Sequence, residues 1–298
     1  MVEIELKRSW LFVPGNRQRM IDKAFGLAAD ALMLDLEDGV PPAAKEEARE
    51  RIAEALERPR TEGGPVRFVR VNGIRHPDLD RDLSCAVRPG ADGLVLPKVE
   101  SPEQVQEMDE RVGRVEAERK MVVGGLRFLV AIESPLGLLE AYRIARSSER
   151  VVGLLFGAED YSRELGLPVV REKEARELLY ARSAFATAAA AAHVQAVDGV
   201  WPDLNDIAGL WQDCWMARRL GFTGKSIIHP SQIEPVNHVF TPSSNDLEFA
   251  RQVVEAFEQA ERAGVGSITL GGQLIDRPIV ERARATLRLA ESLGVIRR

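Results

Sequence analysis

Eight times along this chain a short apolar run gives way to a turn and then to a polar stretch with helical spacing. The runs are SWLFVP (9–14), ALMLDL (31–36), VRFVRV (66–71), GLVLP (93–97), LRFLVAI (126–132), VVGLLF (151–156), VQAVDGV (194–200) and GKSII (224–228). Near-continuous apolar runs are strands buried on both faces, and their alternation with helices marks a parallel βα protein. Eight such units close into a (β/α)8 TIM barrel, and 298 residues are enough for one barrel of about 250 residues and a tail. We therefore expect an α/β TIM barrel over residues 1–242 and a C-terminal helical extension over residues 243–298. In the extension an amphipathic helix at 245–263 leads to a strand-like stretch broken by Gly271-Gly272, then to a closing helix from Arg277. A tail this short is expected to lack a core of its own. It should lie over the barrel mouth or on a neighbouring subunit.

Composition narrows the function. With 45% hydrophobic and 29% charged residues the chain is a well-buried globular protein, and a net charge of −6 gives no basic field for nucleic acid. Cys85 and Cys214 are far apart and in no metal-binding pattern; they read as reduced thiols in a cytoplasmic protein. The first ten residues, MVEIELKRSW, lack the apolar core of a signal peptide, and no run approaches a membrane span of about 20 residues.

The strand ends carry the chemistry. The fifth run finishes in Glu133 and the sixth leads into Glu159-Asp160. A buried carboxylate is costly unless something uses it. Two of them at the C-terminal mouth of a barrel fit Mg2+, which takes one or two carboxylates and leaves its other positions to water and substrate oxygens. The second run ends in a cluster of Asp35, Glu37 and Asp38, which reads either as an acidic loop or as part of the same mouth. Arg70 closes the third run and suits a substrate carboxylate, which a guanidinium grips with two bonds; the competing reading is a salt bridge to Glu37 or Asp38. Arg17 and Arg19 follow the first run, where Asn16 is expected to cap a helix; Arg17 is a candidate anion contact. Lys98 follows the fourth run. Acidic surroundings would hold its ammonium charged, against imine chemistry.

Other polar residues read more plainly. His76 is a loop residue and His193 a packing or capping residue at the end of a helix over 172–193; Trp211 and Trp215 have core spacing. Asp276, ahead of Arg277-Pro278, is either a helix N-cap or an acid delivered to a site from outside the barrel.

Taken together, RSWLFVPGN (8–16), LDLEDGV (34–40), VRVNG (69–73), LPKVE (96–100), IES (132–134), FGAEDY (156–161) and IHPSQI (228–233) resemble the HpcH/HpaI aldolase and citrate lyase family, nearest its citrate lyase beta-subunit-like branch. The resemblance continues into the tail through GGQLIDRPIVERA (271–283). It implies a TIM barrel with bound Mg2+, acting as a carbon–carbon lyase. The substrate would be a 3-hydroxyacyl thioester of the citryl-CoA, malyl-CoA or citramalyl-CoA type, yielding a 2-keto acid such as oxaloacetate, glyoxylate or pyruvate and acetyl-CoA. Condensation or thioester hydrolysis at the same site, or action on an acyl-carrier-protein thioester within a larger complex, are the alternatives. Glu133 and Asp160 match the family's metal ligands, and Arg70 its substrate arginine. Glu133 touches substrate through the metal site, and Arg17 or Arg19 is the candidate for the CoA diphosphate. Asp276 resembles an acid that some members place over a neighbour's active site. Glu37, Asp38 and Lys98 would support these groups from behind. The same resemblance suggests a homo-oligomer, trimer or hexamer.

Overall fold

The computed structural model describes residues 6–168, 175–264 and 266–296. Eight parallel strands, β1 (Ser9–Pro14), β2 (Ala31–Asp35), β3 (Val66–Arg70), β4 (Gly93–Leu96), β5 (Arg127–Ile132), β6 (Val151–Phe156), β7 (Gln195–Asp198) and β8 (Gly224–Ile227), close in sequence order into a barrel. The helices between them are α1 (Gln18–Ala24), α2 (Lys45–Leu56), α3 (Leu79–Ala86), α4 (Pro102–Glu118), α5 (Pro135–Ala145), α6 (Ala158–Leu165), α7 (Leu179–Ala192) and α8 (Ile207–Leu220). After β8 comes α9 (Ile233–Phe240).

Strand alternation sorts the side chains. Trp10, Ala31, Met33, Phe68, Val95, Leu129, Ala131, Leu155 and Val197 form one buried cluster, the filling of the barrel. Small and large residues offset one another in it: Ala31 and Ala131 make room for Trp10 and Phe68, whose rings meet edge to face at 5.1 Å. The intervening positions, such as Leu32, Leu34, Val69, Leu94, Phe128 and Val130, are buried between the strands and the helices. Alternation also dictates the layer above the filling. Asp35 lies two residues beyond Met33, Arg70 two beyond Phe68 and Glu133 two beyond Ala131, so all three stand on the inner face at the C-terminal end.

Local boundaries differ from the sequence reading where polar groups intervene. The second, third, fourth and eighth strands each stop one residue early, and the seventh keeps only Gln195–Asp198. Helix α1 starts at Gln18 rather than Arg17: Arg17 occupies the N-cap with no side-chain bond, and its amide closes a turn onto the Pro14 carbonyl at 3.1 Å. Asn16 therefore sits one residue too early to cap. Asp160 belongs to the first turn of α6 and not to the strand end, because the helix begins directly after Gly157. In place of one helix over 172–193, a 3-10 turn (Arg176–Leu178) leads into α7, and residues 169–174 lie outside the described residues. His193 ends α7 in the left-handed conformation, at φ 58°, a capping role. Trp215 is exposed and Trp211 half-buried; Leu210, Cys214 and Ala217 supply the buried face of α8 instead. Cys85 and Cys214 are free and buried, and burial pushes their thiols up to about 11 and about 12.

The chain divides into two compact units, Met1–His238 and Val239–Arg298. In the second, α10 (Ser244–Arg262) opens with a reciprocal capping box between Ser243 and Asp246. The strand-like stretch is a hairpin of β9 (Ile268–Leu270) and β10 (Gln273–Ile275), turned by Gly271 and Gly272 at φ 57° and 81°, the positive angles a tight two-residue hairpin turn requires. Helix α11 (Arg277–Ser292) packs on α10, with Arg284 paired to Glu258 and Arg277 to Glu261. Contrary to expectation from its length, this unit has a core. Ala250, Val253, Phe257, Ile275, Val280 and Ala283 are buried together, because two amphipathic helices and a hairpin turn their apolar sides to one another.

Candidate active site at the barrel mouth

The β2 and β3 strand ends are joined by charge. Asp35 and Arg70 are partners in the β2–β3 register, and Arg70 grips Asp35 with two bonds of 2.7 Å from Nε and Nη2. Nη1 of Arg70 pairs with Glu37 at 3.0 Å. Nε and Nη2 each spend one N–H on Asp35 and Nη1 makes an ion pair with Glu37, so the guanidinium keeps N–H groups for a ligand. The Phe12 ring lies 4.7 Å from the Arg70 guanidinium carbon. Burial opposes the Arg70 charge, but the carboxylates of Asp35 and Glu37 outweigh it and raise its pKa. Of the two alternative partners the sequence offers Arg70 for a salt bridge, Glu37 takes it and Asp38 does not; the second partner, Asp35, is not among them.

Asp35 also shapes the turn that follows. Its oxygens accept from the amides of Glu37 and Gly39, both at 2.9 Å. A Cβ on Gly39 would lie 2.3 Å from Asp35 Oδ2, so the turn needs glycine there. Lys45, from the first turn of α2, reaches back to the carbonyls of Leu36 and Glu37 and to Asn72 Oδ1, at 2.6, 3.0 and 2.9 Å. Asn72 donates on to Asp82, which Arg49 holds at 2.8 Å. Sequence reasoning missed this buried relay. Its only visible sign is the pair of polar residues, Asn72 and Lys45, at the edges of apolar elements.

Lys98 is bound to Glu37 and, at 2.9 Å, to Asp38. Burial disfavours its charge, yet the two acids outweigh burial and raise its pKa, so the amine stays protonated and is no Schiff-base nucleophile. In Asp38, burial acts upward but Lys98 wins and the carboxyl is held below its ordinary value. The Lys98 backbone is left-handed, at φ 54°, a conformation that costs a non-glycine residue roughly 1–2 kcal/mol. That turn aims its amide at Glu133 Oε2, 3.2 Å away.

Glu133 occupies the single position between β5 and Ser134, whose hydroxyl caps α5 by accepting from the Gly137 amide. It is only 7% exposed. Asp35, Glu37, Asp38 and Asp160 each have an ionic partner, the last Arg163 at 2.9 Å. Among the described residues Glu133 has none; the Lys98 amide is its one hydrogen-bond donor. Burial, and after it the negative charge of Glu37, push its carboxyl up to about 7, with Asp160 adding to the rise and Arg70 opposing it. Gly157, at the β6 exit, lets the next strand approach closely: a Cβ there would lie 2.3 Å from Glu133 Cγ.

A divalent cation fits this set. A buried, unpaired carboxylate whose neighbours include a second acid gains from a positive charge, and Mg2+ needs few protein ligands. No group of three or more His, Cys, Asp or Glu among the described residues could hold a metal; Mg2+ accepts as few as one or two carboxylates, with water and substrate completing its shell. Arg17 is exposed at the β1 exit and His76 lies half-exposed in the loop after β3. Asp276 is in the second unit, where its side chain accepts from the Ile279 amide and caps α11. Asp198 faces the helix layer, in a buried network with Lys225, Arg182 and Asp213 behind β7 and β8. The cavity beside the mouth measures about 610 Å3 and is lined by Glu37, Asp38, Asn72, Arg75, His76 and Lys98 among others.

Comparison with known proteins agrees with this geometry. Residues 8–230 match the HpcH/HpaI aldolase/citrate lyase family. The citrate lyase subunit beta of Escherichia coli strain K12 is 40% identical over 289 residues, 97% of this chain and 95% of that protein. The mitochondrial citramalyl-CoA lyase of Homo sapiens is 36% identical, over 96% of this chain and 86% of that one. Among solved structures, the protein CitE of Mycobacterium tuberculosis in complex with magnesium, acetoacetate and coenzyme A superposes with a TM-score of 0.78 at 31% identity, covering 96% of this chain and 98% of that one. A closed eight-stranded barrel, an acid-rich mouth and relatedness over nearly the whole length lead to one assignment: this chain is a lyase belonging to the HpcH/HpaI aldolase/citrate lyase family.

Proposed function

We propose that this lyase cleaves the carbon–carbon bond of a 3-hydroxyacyl-CoA thioester, of the citryl-, citramalyl- or malyl-CoA type, with Mg2+ held by Glu133 and Asp160. The observation that carries the reading is Glu133, a buried carboxylate without an ionic partner among the described residues, facing the same mouth as an arginine that keeps N–H groups for a ligand. When bound, Mg2+ supplies Lewis acidity and a template for the oxygens of a 2-keto acid. The remaining work falls to side chains. The free N–H groups of Arg70 bind the substrate carboxylate, while Asp35 and Glu37 fix the plane in which they point. Lys98 holds Glu37 and Asp38 in place, and its strained backbone keeps an amide on Glu133. Arg17, exposed beside the β1 exit, contacts the CoA diphosphate.

Cleavage requires the substrate hydroxyl to lose a proton, after which the bond between the carbinol carbon and the thioester α-carbon breaks, leaving a keto acid and a thioester enolate. Glu37 is a poor base because Arg70 and Lys98 both hold it. Asp276 uses one oxygen to cap its helix and keeps the other available, so it is the better candidate, brought to the mouth by a second copy of the chain in a homo-oligomer. The 40% identity to a citrate lyase subunit beta also favours a second reading, in which the thioester is carried by an acyl-carrier protein. The experiment is a lyase assay with Mg2+ on citryl-, citramalyl- and malyl-CoA and on the matching acyl-carrier thioester, following keto-acid release. Turnover of one ester, lost on chelation, supports the reading. Keto-acid release from none of them, or release that persists without divalent metal, overturns it.

A further inference from the structure

The opposite end of the barrel holds a cluster that the lyase chemistry does not use. The segment between α2 and β3, and Phe25 after α1, lie at the N-terminal ends of the strands. There Phe25, Arg58, Arg60, Thr61, Gly64 and Arg67 line a cavity of about 150 Å3. Arg67 is on the outward face of β3 and only 3% exposed. Its guanidinium donates to the carbonyls of Arg58 at 2.8 Å, Pro59 at 2.9 Å and Leu56 at 3.4 Å, and no described carboxylate pairs with it. Buried arginines are ordinarily paired with an anion.

Two acids bind this cluster, and both are already engaged; a third, Glu62, stands exposed in the same turn. Asp92 takes both Nη1 and Nη2 of Arg60, at 3.1 and 2.9 Å, and accepts the Arg67 backbone amide at 2.7 Å. Asp22 is held by Arg58. Three guanidinium groups thus share two contacting carboxylates, and Arg67 pairs with neither through its guanidinium. Two of them, Arg58 and Arg67, lie 5.1 and 4.8 Å from the centre of the same Phe25 ring. Burial, followed by the charge of Arg60, lowers the Arg67 pKa from its ordinary value, and the charge of Asp92 offsets this only in part. The turn beside it is built for close approach: the Gly64 amide closes onto the Thr61 carbonyl at 3.0 Å, and a Cβ on Gly64 would lie 2.4 Å from the Thr61 hydroxyl.

We propose that this cavity is a binding site for a phosphate-type oxyanion, either inorganic phosphate or the phosphoryl end of a small metabolite. Guanidinium groups approaching from several directions, with a hydroxyl beside them, offer more donors than a planar carboxylate can use and match a tetrahedral anion. A space comparable with cavities that hold benzene is large enough to admit a phosphoryl group. The site shares no lining residue with the mouth cavity, so its ligand does not compete for the thioester.

The test is calorimetric titration of the full-length protein with inorganic phosphate, in chelator and at constant ionic strength set with chloride. Saturable one-site binding is expected. Arg60→Gln and Arg58→Gln, both at partly exposed positions, should each weaken it by about tenfold or more, the loss of a charge-assisted bond, with an unchanged urea-unfolding midpoint as the control for folding. Arg70→Ala should leave it unchanged. Absence of saturable heat through millimolar phosphate overturns the proposal. So does binding that disappears in Arg70→Ala and survives both glutamine substitutions, since the anion would then sit in the mouth. A phosphorylated small molecule that competes with inorganic phosphate in the wild type would identify the metabolite form; failure of every such competitor would leave inorganic phosphate as the ligand.

Discussion

Replacing Glu133 by Gln should make the metal-free protein more stable while abolishing turnover. The magnitude follows from the environment of the carboxylate. Its pKa stands at about 7 in the fold against an ordinary 4.5, a rise of about 2.5, and at ~1.36 kcal/mol for each the ionised form costs roughly 3 kcal/mol. The folded protein binds the proton more tightly than the unfolded chain, so between these two values the native state carries more protons and stability falls as pH rises. The favourable contribution is complete below about 4.5 and lost as pH passes through about 7. The substitution removes the charge and keeps an oxygen for the Lys98 amide, but the new NH2 group needs a partner, which reduces the gain. Urea unfolding in chelator, at a series of pH values, should therefore show Glu133→Gln chains about 1–3 kcal/mol more stable than wild type at pH ~8, with no difference at the acid end. Excess Mg2+ should stabilise the wild type and leave the variant unmoved. A variant no more stable than wild type at pH ~8, or a gain equal at every pH, would refute the reasoning that Glu133 is a buried charge awaiting a cation.

Three further outcomes test the mouth. Arg70→Lys should raise the Kd for the keto-acid product by about tenfold or more and lower stability by about 1–3 kcal/mol, because an ammonium cannot hold Asp35 with two bonds and present others; pyruvate or oxaloacetate titration and urea unfolding read the two effects separately. Gly157→Ala should leave a folded barrel, since its φ of −89° suits any residue, but weaken Mg2+ by about tenfold because the new methyl would displace Glu133; unchanged affinity in calorimetry would show that Glu133 does not hold the ion. Mixing Arg70→Ala chains with Asp276→Ala chains should recover part of the activity each lacks, if Asp276 serves a neighbour's mouth; no recovery on co-refolding would leave it acting within its own chain or only capping α11.

How far the sequence reaches is set by the physical range of each signal. A period of two is written into every buried strand, so Asp35, Arg70 and Glu133, each two residues past a residue of the barrel filling, can be placed at one mouth from spacing alone. Asp160 reads from the sequence as a strand-end acid because the apolar run gives no sign of where the helix starts. An acid in a first helical turn is favoured by the helix dipole anyway, so its type is as informative about the helix as about a metal. The tail reads as too short for a core because length is a property of the chain, whereas the burial of Phe257 with Ile275 and Val280 depends on two helices meeting. Charge pairing is the least legible property, since it depends on register across neighbouring strands: Arg70 faces Asp35 because β2 and β3 align those two residues, and Lys45 reaches the Leu36 carbonyl at the β2 exit from the start of the following helix. That is why Glu133 stands out in the sequence as one acid among several but not as the acid left over. Once Arg70 has taken Asp35 and shares Glu37 with Lys98, and Arg163 has taken Asp160, Glu133 is the mouth carboxylate still without a cation among the described residues, and it is buried. The pairing of its neighbours, rather than any property of Glu133 itself, is what makes this position the one where a divalent ion is worth most.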